Sequence, residues 1–346
     1  MKSRNPPRIA TIRDVAAAAG VSTATVSRTL APDSSGRVSE TTRKRVFSAA
    51  AKLEYRANFA ARSLKTRSTK TVAILAPELS NDFFMTLAEG MERELNAQGY
   101  TLLVASSANS VEEEKKWTAM LTGRMVDGIV VIPAGSRGGH LSGRDVPVVL
   151  VDRLVEGTNL DAVLSDNEGG AYRLTRALLE DGCRRIAFVG GDPGISSARE
   201  RLLGYKKALA EAGLREGPVC LNGMGIEAGY RGMERILRSS GPAEALVAVN
   251  LLVHLGMQRC LLEQGPAGDH ASMPVIAAFD ETAYTPFLPA CRYTAVQEAA
   301  GMGKRAVQCI LERIALKKRT GKAPAEAGTG DTEKRIIRFP VTIIRH

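Results

Sequence analysis

The sequence predicts an α/β protein in which a small three-helix helix-turn-helix unit precedes a large two-lobed core of doubly wound parallel sheets. Three observations carry this. Residues 10–31, A-T-I-R-D-V-A-A-A-A-G-V-S-T-A-T-V-S-R-T-L-A, read as two short helices joined by a tight turn. From Thr71 onward, short apolar runs alternate with amphipathic helical stretches, the pattern of parallel strands with crossover helices. Charge is unevenly placed: the first 70 residues hold 15 Lys or Arg against 4 Asp or Glu, a net of +11, while the whole chain is +10.

In the amino-terminal pair, Thr11 is placed to cap the first helix with Asp14 three residues on, close to the capping-box pattern. Val15, Ala16 and Ala19 supply a small apolar face, and Gly20 stops the helix. Ser22 caps a second helix in which Val26 and Leu30 point inward, leaving Thr23, Ala24, Thr25, Ser27 and Arg28 outward. Short polar side chains ending in a cation suit the DNA major groove: they let a backbone approach base edges, and Arg28 reaches guanine or phosphate. An ordinary helical hairpin has the same local pattern, so the neighbours decide. After a linker with Pro32, Asp33 and Gly36, Ser39 caps a third helix of about residues 40–53, with Val46, Ala50 and Leu53 closing a three-helix core and Arg43, Lys44 and Arg45 along it. A basic small module on a nearly neutral large one is the electrostatic footprint of nucleic-acid binding.

The next stretch is Y-R-A-N-F-A-A-R-S-L-K, residues 55–65. Together with T-I-R-D-V-A and V-S-x-x-T-V-S-R, it resembles the hinge helix and reader of the LacI/GalR family of bacterial transcription regulators, and the resemblance runs from about Thr11 to the last strand. It implies three parts: residues 1–56 as helix-turn-helix domain, 57–70 as hinge helix and linker, and 71–346 as effector-binding and dimerisation core. Within that core the first lobe would hold about 71–166 and 297–325, and the second about 167–296 and 326–346. The resemblance implies DNA contacts from Thr11, Ser22, Thr23, Ala24, Thr25, Ser27 and Arg28, and from Asn58, Ala61, Leu64 and Lys65 in the hinge. By the same resemblance Leu64 matches the leucine that wedges into the minor groove; an exposed leucine in a basic linker is a poor choice for solubility, and a plain helix–helix contact is the other reading. Residues 57–65 are too few for a stable lone helix, so hinge folding is expected only on DNA, paired with a second subunit.

The core strands are expected at 72–76, 101–105, 128–132, 146–151 and 163–165, then 186–189, about 218–222, 245–249 and 275–279, with a last strand at 335–345. Helices are expected at 83–98, 111–122, 169–180, 197–212, 227–239, 251–264 and 302–318. Two such sets imply two lobes with a cleft between them, and in open parallel sheets ligands sit beyond the carboxyl ends of the strands. The loops there carry Phe83 and Phe84, Asp152 and Arg153, Asp166 and Asn167, Ser197 and Arg201, Asn250, and Asp280. Polar groups with an aromatic ring suit a hydroxylated ligand. Phe84 also fits the core of its own helix, Asp166 and Asn167 also fit as caps, and Asp152 also fits as a turn residue. The resemblance implies lobes like those of periplasmic sugar-binding proteins, with Arg201 and Asp280 holding the effector, Phe84 stacking and Asn250 as a polar contact. Where many relatives read N-D-x-x-A, this chain reads Asn250-Leu-Leu-Val-His254, a departure that removes one carboxylate.

Other classes are excluded. The four histidines, His140, His254, His270 and His346, sit in unlike contexts, and the chain has no G-x-S-x-G, H-E-x-x-H or G-x-x-x-x-G-K-[ST] motif. Gly190-Gly191-Asp192-Pro193-Gly194 fits no phosphate-binding fingerprint and reads as a strand-to-helix turn. An enzyme is therefore not expected, nor is a cofactor or metal. Five scattered cysteines without C-x-x-C spacing speak against disulfides and zinc. No run approaches the roughly 18 apolar residues of a membrane span, and the amino end lacks a signal-peptide core. The expected protein is cytoplasmic and nucleoid-associated, with no membrane partner. It is expected to be a homodimeric repressor on a pseudo-palindromic double-stranded operator, controlled by a small-molecule effector, with sugar or sugar acid favoured. No heptad helix follows the last strand, so a dimer rather than a tetramer is expected.

Overall fold

A computed structural model describes residues 10–30, 38–55, 68–123, 125–239, 243–264, 273–320 and 334–346. It divides into two compact units, Met1–Arg67 and Ser68–His346. The hinge residues Asn58, Ala61, Leu64 and Lys65 lie outside the described residues.

The first unit contains α1 (Ile12–Ala19), α2 (Thr23–Thr29) and α3 (Glu40–Lys52). The Asp14 carboxylate accepts from the Thr11 N–H at 2.8 Å and its hydroxyl at 2.7 Å, which ties down the first turn of α1. Gly20 ends the helix at φ 62°, a left-handed conformation that glycine adopts without a Cβ penalty. Ser22 and Ser39 cap α2 and α3 by accepting from the Thr25 and Thr42 amides. Val15, Val26 and Val46 are fully buried and form the centre of the core with Ala16, Ala19 and Ala49. Leu53 does not close it, contrary to the sequence expectation. The helix ends at Lys52, Glu54 turns left-handed at φ 47°, and Tyr55 packs on the core instead while Leu53 is exposed.

The second unit holds two six-stranded sheets. The first has the order β11-β5-β4-β3-β1-β2, with β1 (Thr71–Ala76), β2 (Thr101–Ser106), β3 (Gly128–Val131), β4 (Val148–Val151), β5 (Asp161–Ser165) and β11 (Ile336–Phe339), all parallel. The second has the order β12-β10-β9-β8-β6-β7, with β6 (Ile186–Val189), β7 (Val219–Cys220), β8 (Ala245–Ala248), β9 (Val275–Phe279), β10 (Cys291–Gln297) and β12 (Val341–Arg345). Only β12 runs antiparallel, against β10. Helices α4 (Asp82–Ala97), α5 (Val111–Thr122) and α10 (Ala299–Thr320) flank the first sheet. Helices α6 (Asn167–Glu180), α7 (Ser196–Glu211), α8 (Ile226–Leu237) and α9 (Leu251–Gln264) flank the second. Strands covered on both faces must be apolar at successive positions, and Val72–Ala76 and Ala245–Ala248 are fully buried throughout.

Two elements correct the sequence expectation. The segment expected as one strand at 335–345, within the second lobe, is two strands, one in each sheet. Pro340 separates them, because it has no N–H to continue a ladder, and β12 pairs antiparallel with β10 in the second sheet. Residues 336–339 thus belong to the first lobe. Strand β10 was not marked by the apolar pattern at all: Arg292, Thr294 and Gln297 interrupt it, and it is held by pairing to β9 and β12. The chain crosses between lobes three times, after β5, after β10 and at Pro340.

Candidate DNA-reading helix and effector cleft

On α2 the exposed face is the one expected. Ser22, Thr23, Ala24, Ser27 and Arg28 are exposed, Thr25 is half-buried, and Val26 and Thr29 point inward. The Ser22 and Thr25 hydroxyls bond each other at 3.0 Å, so both help hold the helix start, and Thr29 returns its hydroxyl to the Thr25 carbonyl at 2.8 Å. Thr23, Ala24, Ser27 and Arg28 are left outward. Arg28 Nε donates to the Ala24 carbonyl at 3.3 Å, which lays the side chain along the helix. From α3, Arg45 reaches the Ala19 carbonyl at 2.5 Å and fastens the carboxyl end of α1 beneath the turn.

The cleft is built on the carboxyl ends of strands in both sheets. Asp152 follows β4 and Asp280 follows β9, each in left-handed backbone (φ 65° and 70°), and each more than nine-tenths buried. Arg153 lies beside Asp152 with Nε 3.4 Å from Oδ2, and its Nη1 donates to the Pro133 carbonyl after β3 at 2.9 Å. Arg201, one turn into α7, donates through Nε to Asn167 Oδ1 at 2.8 Å and through Nη1 to the Val249 carbonyl at 2.7 Å. Its guanidinium lies 3.9 Å from the centre of the Phe279 ring, a cation–π contact. Asp280 accepts from Gln297 Nε2 at 2.5 Å.

The four charges feel one another across the lobes. Burial pushes the Asp152 carboxyl up, Arg153 and Arg201 pull it back down, and Asp280 pushes it further up. Burial likewise raises Asp280, opposed by Arg201 and by the Gln297 hydrogen bond. Burial lowers both guanidinium groups, and the carboxylates offset this only in part. Two cations and two anions therefore share one desolvated site. Within it, Gln297 Oε1 is buried without a hydrogen-bond partner, and Arg153 Nε has only its ion pair with Asp152, so one acceptor is left over. Ser196 Oγ, at the start of α7, accepts from the Leu154 amide at 2.7 Å, joining the two lobes at the cleft.

The remaining expected residues divide. Ser197 is buried in the first turn of α7. Asn250 spends its Oδ1 on the Val253 amide and its Nδ2 on the Met224 carbonyl, so it shapes the start of α9. Phe83 and Phe84 pack edge-to-face at 5.6 Å within the first-lobe core, and Phe84 alone meets the site, with the Arg153 guanidinium 5.8 Å from its ring centre. Asp166 is not in the charged cluster. It caps α6 through the Gly169 amide, stands 3.4 Å from Arg173, and is substantially exposed, while its neighbour Asn167 is the residue that holds Arg201. Gln297 was missed because its strand was missed. His254, in place of the usual pattern, is fully buried and bonds Gln258 at 3.0 Å, so it serves the core of the second lobe.

A reader helix on one unit and a two-lobed core with a desolvated charged cleft on the other define a DNA-binding regulator with a ligand-binding module. The comparisons agree in both halves. Residues 11–58 match the model for bacterial regulatory proteins of the lacI family, and residues 69–271 match that for periplasmic binding proteins and the sugar-binding domain of the LacI family. The chain belongs to the LacI family of bacterial regulatory proteins. It is 32% identical over 88% of its length to the HTH-type transcriptional regulator RegA of Clostridium saccharobutylicum, covering 92% of that protein. It is 30% identical over 88% of its length to the ribose operon repressor of Haemophilus influenzae, again covering 92% of it. Its fold is similar to that of the Lac repressor bound to ONPG (TM-score 0.81, 21% identity, 98% of this chain and 99% of that one). The chain is accordingly a DNA-binding transcriptional regulator and not an enzyme. Among the described residues no helix is long and apolar enough to cross a membrane.

Proposed function

We propose that the protein is a homodimeric repressor whose affinity for a pseudo-palindromic operator is set by a neutral sugar bound between the lobes. One observation carries the ligand class: the buried charges balance. Asp152, Arg153, Arg201 and Asp280 sum to zero, and the further charges acting on Arg153 are the carboxylates of Glu78 and Glu114. An anionic ligand entering this site would meet no uncompensated cation, and burying its charge would be costly. A sugar hydroxyl both donates and accepts, which suits a site that alternates carboxylate and guanidinium and has one acceptor, Gln297 Oε1, to spare. Sugar acids are the weaker fit on the same ground. The ribose operon repressor among the relatives makes D-ribose the first sugar to try.

In this reading Thr23, Ala24, Ser27 and Arg28 read base edges, with Thr11, Ser22 and Thr25 beside the phosphates. Asn58, Ala61, Leu64 and Lys65 form the minor-groove hinge that pairs across the dimer. The protein acts in the cytoplasm, on the nucleoid. Titrating the purified protein with D-ribose, D-ribonate and hypoxanthine while following thermal unfolding tests the ligand class. At ligand concentrations near 100 times the Kd, a binder adds about 2.7 kcal/mol, a rise of several degrees. The neutral sugar is expected to give that rise. A rise with the sugar acid and none with any neutral sugar would sink the reading.

A further inference from the structure

Where the core begins, three elements of the first lobe close on three successive residues. The Asp127 carboxylate, immediately before β3, accepts from the Ser68 hydroxyl, from the Thr69 amide at 2.7 Å, from the Thr69 hydroxyl at 3.0 Å and from the Lys70 amide at 3.3 Å. Lys318, near the end of α10, donates to Ser68 Oγ at 3.3 Å. Tyr100, before β2, hydrogen-bonds Ser68 and lies under the Lys70 ammonium, 4.2 Å from ring centre to Nζ. Four donors on a single carboxylate far exceed what starting a strand requires, since β1 is already paired on both sides.

The two outer members of this joint run to the cleft. Strand β3 leads from Asp127 to Pro133, whose carbonyl takes the Arg153 guanidinium. Helix α10 begins two residues after Gln297, the partner of Asp280, and runs 22 residues, about 33 Å, to the region of Lys318. The two are packed without slack: a Cβ on Gly128 would run into the Ile310 and Ile314 side chains of α10. Both rods thus belong to the first lobe, α10 beginning just after the crossover from β10, and both meet Ser68–Lys70 at their far ends.

We infer that Asp127 is a positioning residue that clamps the chain where the core begins, and that movement of the first lobe at the cleft, carried by β3 and α10 together, is delivered to operator affinity through this clamp. The inference deepens the repressor reading and rests on it. An effector that shifts the first lobe changes DNA binding only if it alters something at the exit of the chain, and the joint is where that lobe holds the exit.

The test uses full-length wild type, Asp127→Asn and Thr69→Val with a DNA fragment selected by the wild type from genomic DNA. Operator affinity and ligand-dependent melting are measured with and without D-ribose. Asp127→Asn is expected to keep the ribose-dependent rise in melting temperature while the ratio of operator affinities without and with ribose falls to under about twofold, against the fivefold or more usual for such coupling. Thr69→Val, which removes one donor and leaves the carboxylate, is expected to fall between, and it carries the test if Asp127→Asn does not fold. A wild-type ratio in both variants overturns the inference. If wild type itself ignores ribose, the sugar reading fails separately, and the ligand-free arm decides the clamp. A tenfold or greater loss of operator affinity in Asp127→Asn, with faster hydrogen exchange at Thr69 and Lys70 alone, upholds it, and equal affinity overturns it.

Discussion

Asp152 and Asp280 occupy the same place in the two sheets: each follows the third strand in its sheet's order, each is in left-handed backbone, and each is buried within reach of Arg201. A non-glycine residue in that conformation carries a cost that Asp tolerates better than most, and its repetition in both lobes aims two carboxylates at one space.

Arg201 is the cation that both carboxylates depend on. Arg201→Met leaves Asp280 buried without its counter-charge and frees the Asn167 and Val249 acceptors. We expect ligand-dependent melting to disappear, and unfolding stability to fall by about 3 kcal/mol or more in denaturant titration. An intact ligand response would show that the cleft is assigned wrongly.

Gln297 serves both binding and stability. Its Oε1 is buried and unsatisfied while its Nε2 donates to the buried Asp280 carboxylate, so Gln297→Met, close in volume, is expected to lower stability by about 1–3 kcal/mol. Ligand affinity, measured by calorimetry, should fall about tenfold or more because a hydroxyl loses its acceptor. Equal affinity in the variant would remove Gln297 from the site.

Acid stability should fall in two separate pH windows. Burial holds the fully enclosed His254 imidazole down to about 4, with the His346 charge adding to the effect. Because the folded pKa lies below the unfolded one, this group's contribution is complete above about pH 6.5 and is lost as pH falls to about 4, a change near 3 kcal/mol. His254→Leu should flatten the stability profile there, as followed by denaturant midpoints. A profile unchanged from wild type would contradict it.

The second window is lower. Burial would raise Asp161, but hydrogen bonds from Arg313 at 2.8 Å and from Arg335 outweigh it and bring the carboxyl to about 2. Its contribution is therefore present above about pH 4 and is lost between about pH 4 and 2, about 2 kcal/mol. Asp161→Asn should lose at least that much at neutral pH, since two guanidinium groups give up their acceptor.

On the DNA side, Arg28→Ala is expected to cost about 1–3 kcal/mol and to relax one operator position if Arg28 reads a base, or to reduce the salt slope by about 1 if it holds a phosphate. Leu64→Ser should weaken specific binding at moderate salt while leaving non-specific binding nearly unchanged. Operator affinity equal to wild type in Leu64→Ser would remove the wedge.

Much of the molecule was legible because its signals are local. Ser22 and Gly20 mark helix ends through their own backbone chemistry, Val15, Ala16 and Ala19 fall at helical spacing, and strands buried on both faces announce themselves as apolar runs. Asp152, Arg153 and Asp280 are picked out by their place at strand carboxyl ends, Arg201 and Asp280 also by the family resemblance, and the structure brings the four together with Arg201 on α7. What only the tertiary structure decided is non-local. Strand β10 exists through its pairing with β9 and β12, which gives Gln297 its place, and Pro340 divides one apparent strand between two sheets. Asn167 rather than Asp166 meets Arg201 because helix packing selects among polar neighbours. Asp127 captures a segment 57–59 positions before it in the chain. Local sequence sets which elements form and which residue types sit at their ends. Which ends meet depends on pairing and packing between segments far apart in the chain, and no short window of sequence contains that information.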